Sequence, residues 1–416
     1  MDKITEVINA LPDMKTGNEL ISKLTYLPEY STDIRNENEA IRLMALSDIY
    51  KIYIPSQMSL EIYNKLYLAL LRSLQKKTIK TAVQQKNQNY KAIRQQGYNS
   101  ILGGSDSFTI IGISGIGKST AINRAIELIT TNGIIEIDEP YTKIIPCVIV
   151  QCPFDSSVKG LLLEILRRVD ECLDSKYYQN ALRAKATTDM LIGCVSQVAL
   201  NHIGLLVVDE IQNVVNSKNG KSLVGCLTQL INNSGISICM VGTPESVVFF
   251  EQAMQLARRS LGLQYNNIEY NQYFYNFCQI LWSFQYVKNH TEITDSIIEW
   301  LYSHSSGIIS VVVSLIHDAQ EIAILNGKEV LNLETLNEAY QQRLYMLHGY
   351  ISPSINKVKQ TTTPKKKKII KAVELSEEIK SDENVTISKL ATIAKTSELN
   401  IVELLKEHIE IIEVSI

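Results

Sequence analysis

The stretch Gly112-Ile113-Ser114-Gly115-Ile116-Gly117-Lys118-Ser119-Thr120 spells G-x-x-x-x-G-K-[ST] in full. No other part of the chain restricts its fold as tightly. Ser107–Ile111 before it is a β-branched and aromatic run that reads as a buried strand. In Ser119–Ile129 after it, Ile122, Ala125, Ile126 and Ile129 recur at helical spacing, so a helix begins as the loop ends. Glycines let such a loop fold back with its N–H groups aimed inward, at dihedrals a side chain would block. Those N–H groups and the helix N-terminus suit phosphate oxygens. Gly112, Ser114, Gly115, Ile116, Gly117, Lys118, Ser119 and Thr120 are the expected nucleotide cradle, with Lys118 on the β/γ-phosphates and Ser119 on magnesium.

Further strands extend the pattern. Cys147–Gln151 ends at Pro153, Leu205–Val208 closes on Asp209-Glu210, and Ile236–Val241 runs into Gly242-Thr243-Pro244. Near-continuous apolar strands alternating with helices predict a parallel sheet buried on both faces, an α/β core. Ligands of such sheets lie at the carboxyl ends of the strands. Four apolar residues followed by Asp make Asp209 the expected magnesium carboxylate, reaching in from the strand next to the P-loop. Glu210 directly after it is the expected general base toward water. Thr243 is placed to hydrogen-bond the γ-phosphate or that water. Arg258-Arg259, at the end of the next helical stretch, suit a guanidinium that completes a neighbouring subunit's site, which requires the protein to oligomerise.

A chain of 416 residues accommodates two or three domains, and a net charge of −3 gives no whole-chain argument for a polyanion. The seven cysteines form no C-x-x-C pair and sit in apolar patterns, as buried reduced thiols do. Neither a signal peptide nor a bilayer-length apolar run is evident, so a soluble cytoplasmic protein without membrane contact is expected.

Residues 1–105 read as an N-terminal segment. It has a helical stretch at Asn36–Met44, an alternating Tyr50–Ile54, and a helix from Ser59 with Leu60, Tyr63, Leu66, Tyr67, Leu70 and Leu71 on one stripe. Between Ile62 and Ser105 stand eight basic residues, among them Lys76, Lys77 and Lys80, and no acidic one. A solvated linker helix and a contact with DNA backbone are both open readings of that block. Residues 106–265 form the expected core. Residues 266–350 form a helical lid, with helices at Tyr273–Val287, Thr294–His304, Val311–Leu325 and Leu333–His348. Residues 351–368 are a basic linker. Residues 369–416 are an acidic tail with two helices, suited to docking on a partner or to standing as a small module.

Together, GISGIGKST, LLVVDEIQN, the Gly-Thr after the next strand, the paired arginines and the helical lid resemble AAA+ ATPases. DSFTIIGISGIGKST, CVIVQCPFDSSVKGLLLEIL, LLVVDEIQNV, SICMVGTPE and QLARRS look like the TnsC/TniB regulators of Tns-type transposons, over roughly residues 25–350. The resemblance implies an AAA+ P-loop core with lid and an ATPase that uses ATP and Mg2+. It also implies a ring or filament of copies on double-stranded target DNA. Such an assembly would connect a TnsD/TniQ-type or CRISPR-guided selector to the TnsA/TnsB transposase in a bacterial cytoplasm. It implies DNA contact from the loop Asp155–Lys159, with Ser157 and Lys159 as candidates. One departure stands out. Many such lids carry an arginine three residues after a glycine, whereas Gly307-Ile308-Ile309 is followed here by Ser310, which implies slow hydrolysis. A helicase loader or initiator-like AAA+ protein, and a nucleotide switch of the STAND kind without DNA affinity, are the alternatives.

Overall fold

The computed structural model describes residues 9–78, 107–138, 141–215, 217, 220–247 and 262–345, all within one compact unit. Arg258, Arg259, Lys80, the linker and the acidic tail lie outside the described residues, as do the side chains of Lys76 and Lys77.

The N-terminal region holds helices α1 (Gly17–Leu24), α2 (Glu39–Leu46) and α3 (Gln57–Thr78). The core follows as β1 (Phe108–Gly112), α4 (Lys118–Ile129), β2 (Ile135–Asp138), β3 (Tyr141–Gln151), α5 (Val158–Leu173), α6 (Tyr177–Arg183), α7 (Thr188–His202), β4 (Ile203–Asp209), α8 (Gly220–Ser234), β5 (Ser237–Gly242) and β6 (Leu263–Tyr265). The lid is α9 (Gln272–Ser283), α10 (Asp295–Ser305), α11 (Ile309–Leu325) and α12 (Leu333–Arg343).

The strands form one sheet in the order β2-β3-β4-β5-β1-β6. Every pairing is parallel except that of β2 with β3, a hairpin absent from the sequence reading. Alternate residues of each central strand enter opposite cores, which is why the strands read as unbroken apolar runs. Val148, Val150, Leu206, Val208, Ile238 and Met240 pack with α5, α7 and α8. Phe108, Ile110, Leu205, Val207, Cys239 and Val241 pack on the other face with α3 and α4. The result is a three-layer α/β arrangement with a C-terminal helical region.

Helix α3 is therefore a structural layer rather than a solvated linker. Its stripe of Ile62, Tyr63, Leu66, Tyr67, Leu70 and Leu74 is buried against the sheet and α4. The Lys65 ammonium sits 5.6 Å from the Phe108 ring centroid. The alternation at Tyr50–Ile54 forms no strand. A 3-10 turn runs Ser47–Lys51, and Tyr53 then makes a single bridge to Tyr26. Ile49 and Ile52 join the lid core with Leu46, while Tyr53 joins the sheet core.

The N-terminal segment thus serves both bodies: α1 and α3 clad the sheet, while residues around α2 complete the lid. The latter attachment is anchored by Arg42, a fully buried side chain whose guanidinium grips both Glu329 oxygens at 2.7 Å and also donates to Glu37 O and Tyr286 O. Tyr30 and Arg35 add bonds to Gln285 O.

Arg42→Ala would leave the largely buried Glu329 carboxylate with only the Lys288 N–H at 3.2 Å and the Lys288 ammonium at 3.8 Å. The expected loss is about 3–5 kcal/mol of unfolding free energy, measured by urea denaturation. The bond from Arg42 holds Glu329 below the ordinary carboxylate range. Its stabilisation is therefore complete above the unfolded value of about 4.3 and fades as pH falls through the lower folded value.

Candidate nucleotide site

At the carboxyl end of β1 the chain turns back through Gly115 and Gly117, whose φ angles are +83° and +94°. These left-handed positions let successive N–H groups face one point, and α4 starts at Lys118 directly behind them. Ile116 is buried and fixes the loop to the core, while Ser114, Ser119 and Thr120 are exposed. Lys118 Nζ donates to Gly112 O at 2.7 Å and Ile113 O at 2.8 Å, so its ammonium lies along the loop. Burial pulls its pKa below the ordinary lysine value, against the opposing pull of Asp209 and Glu210. A bound polyphosphate would favour the charged form.

Ser119 Oγ donates to Asp209 Oδ2 at 2.9 Å. This contact corrects one expectation. The strand beside the P-loop strand is β5, and β4, which carries Asp209, lies one place further out. The Asp side chain and the first turn of α4 close that gap by meeting above the end of β5. Hydroxyl and carboxylate oxygens at this junction are the hard donors that Mg2+ selects, so the residues fit that ion.

Glu210 has φ +59°, a left-handed position for a residue with a side chain, and its N–H donates to Asp209 Oδ1 at 2.8 Å. The chain then enters a 3-10 turn, Ile211–Val214, pinned by the buried Ile211 and Val214. That reversal returns Gln212 to Glu210, and its amide Nε2 donates to Glu210 Oε2. Thr243, at the end of β5, has a buried Oγ1 with no hydrogen-bond partner.

A cleft of ≈ 250 Å³ is lined by Ser114, Lys118, Ser119, Asp209, Glu210 and Thr243, with Gln212 and Ser310 also on its wall. The structure thus gathers the P-loop, Asp209, Glu210 and Thr243 at one edge of the sheet. Sequence reasoning gave no role to Gln212, although DEIQN was in view; only its position in the turn after Glu210 sets it apart. Ser310 closes the lid side: its N–H donates to Gly115 O at 3.0 Å.

Ser157 and Lys159 are placed elsewhere, beyond the end of β3. Ser157 Oγ caps α5 by accepting from Gly160 N, and Lys159 is exposed. This loop is tied to the turn after Glu210. Asn213 Nδ2 donates to Cys152 O, Ser156 Oγ donates to Asn213 O, and Ser217 Oγ donates to Asp155 O. At its tip Phe154 is 91% exposed.

Residues 104–266 match the family described as Bacterial TniB protein. No curated protein matches the chain. Among solved structures, it is similar to the Aeropyrum pernix ORC1 protein in complex with DNA (14% identity, 80% of this chain and 78% of that one, TM-score 0.42). It is also similar to Drosophila ORC bound to DNA (12%, 97% and 90%, 0.43) and to Cdc6p from Pyrobaculum aerophilum (12%, 78% and 80%, 0.40). Among the described residues, no single helix is long and apolar enough to cross a membrane.

A Cβ on Gly115 would lie 2.3 Å from Ser310 Oγ, on a backbone that L residues rarely adopt. Gly115→Ala should therefore cost at least about 1–3 kcal/mol and weaken ATP binding by about tenfold or more, measured by thermal unfolding and calorimetric titration. Adding Ser310→Ala removes the clash but not the strained φ, so the double variant should recover only part of the loss.

Proposed function

We propose that this protein is an ATP-dependent, DNA-binding regulator of transposition, whose copies assemble on double-stranded target DNA when ATP fills the cleft and leave it after hydrolysis. The observation that carries the reading is the convergence of the P-loop, Asp209, Glu210 and Thr243 on one cleft within a TniB core. Gly112 to Thr120 cradle the phosphates, and Lys118 pairs with the β/γ oxygens. Ser119 and Asp209 would hold Mg2+, which supplies charge neutralisation at those oxygens. Glu210 takes a proton from the attacking water, and Thr243 holds that water or the γ-phosphate. Arg258 and Arg259 act from a neighbouring copy, so turnover requires assembly.

The loop around Ser157 and Lys159 contacts phosphates, joined by Lys76, Lys77 and Lys80. Such contacts fix position and carry no sequence information. Target choice then comes from a selector of the TnsD/TniQ type, and the assembled copies recruit the TnsA/TnsB transposase. Ties from Asn213 and Ser217 to the loop give a direct mechanical link between DNA and the hydrolytic turn.

DNA affinity measured with and without a non-hydrolysable ATP analogue across a salt series tests this reading. Binding should need the analogue and should fall steeply as salt rises. Absence of DNA affinity at every salt concentration would point to a nucleotide switch instead. Lys118→Ala should abolish the analogue-dependent binding. Glu210→Gln should assemble on DNA yet lose turnover by about 10²-fold or more, measured by phosphate release.

A further inference from the structure

We infer that Gln212 is a second water-holding residue of the hydrolytic site, working with Glu210; this rests on the ATPase reading above. An ionised carboxylate only accepts hydrogen bonds, so the contact with Glu210 Oε2 fixes the amide with Nε2 toward Glu210. Gln212 Oε1 is then the atom left over, buried and with no protein partner. It packs beside the end of β5, 3.1 Å from where a Cβ on Gly242 would stand. The neighbouring Thr243 Oγ1 is likewise buried without a partner. An orphaned amide oxygen is costly in a protein interior unless something donates to it.

Both orphaned atoms belong to residues on the wall of the cleft that Lys118, Ser119 and Glu210 also line. An amide oxygen can only accept, so the group it takes must carry an O–H or N–H. Water meets that need and is also the co-substrate of hydrolysis. One water proton bonds to Gln212 Oε1 and the other to the Glu210 carboxylate. The water oxygen then forms a bond to the γ-phosphorus as the bond from that phosphorus to the β–γ bridging oxygen breaks. Glu210 receives the proton, and the bridging electron pair leaves with ADP. The same amide, donating through Nε2, keeps Glu210 turned toward this water. A glutamine that orients attacking water is a known solution in phosphoryl transfer. Here it is supplied by the 3-10 turn that follows the left-handed Glu210.

The test uses the full chain with DNA and magnesium. Gln212→Ala should lower kcat by about 10²-fold while ATP-analogue affinity and analogue-dependent DNA binding stay at wild-type values. Gln212→Leu, which fills the same space without an amide, should lose kcat to the same extent with an unchanged KM for ATP, a split that a merely structural side chain would not produce. A kcat for Gln212→Ala or Gln212→Leu within about twofold of wild type overturns the inference. A wild-type protein that binds DNA but never releases phosphate overturns the ATPase reading itself, whatever these variants do.

Discussion

A parallel sheet covered by helices on both faces can offer polar groups to a ligand only where its strands end. That constraint governs this molecule. Burial of both faces holds β1, β4 and β5 in the middle of the sheet, and all three run the same way. Their carboxyl ends are then forced together, although Gly112, Asp209 and Gly242 are far apart in the chain. Polar residues can follow each strand at that edge because the chain leaves the interior there. The Ser119–Asp209 hydrogen bond across the end of β5 joins two of these segments.

The second requirement is that the lid meet this edge. It does so through backbone, by the bond from Ser310 N–H to Gly115 O, and not through a cation. The position where many AAA+ lids carry arginine holds a small hydroxyl residue packed on a glycine. Close approach is possible because neither residue has bulk. The lid's own shape depends on the N-terminal segment, since Arg42 pairs with Glu329 and Leu46, Ile49 and Ile52 fill its core. The chain thus lays α1 on the sheet, passes through the lid around α2, clads the sheet again with α3, builds the core, and returns to finish the lid.

Much of this was legible in sequence, for physical reasons that differ by element. The P-loop and Asp209-Glu210 could be read because their chemistry needs particular residues at fixed spacing. The central strands could be read because burial on two faces leaves few polar positions, Thr109 and Ser237 among them. The order of strands could not, since side-chain alternation says nothing about which neighbour a strand takes; hence Asp209 came from one strand further out than expected. Helix α3 showed its apolar stripe plainly, yet a stripe does not say what it packs on, and its lysines suggested solvent or DNA. The β2–β3 hairpin was missed because Ile135–Asp138 is short. Gln212 was overlooked because its place depends on the left-handed backbone at Glu210, which no residue type announces.

The central claim is that the strand ends, the P-loop and the lid form one pocket for a magnesium-bound triphosphate. Calorimetric titration of the intact protein with ATP, with magnesium and then with chelator, addresses it most directly. The account predicts saturable binding of one ATP per chain that weakens when magnesium is removed. Absence of binding heat and of any thermal stabilisation at millimolar ATP with magnesium would contradict it.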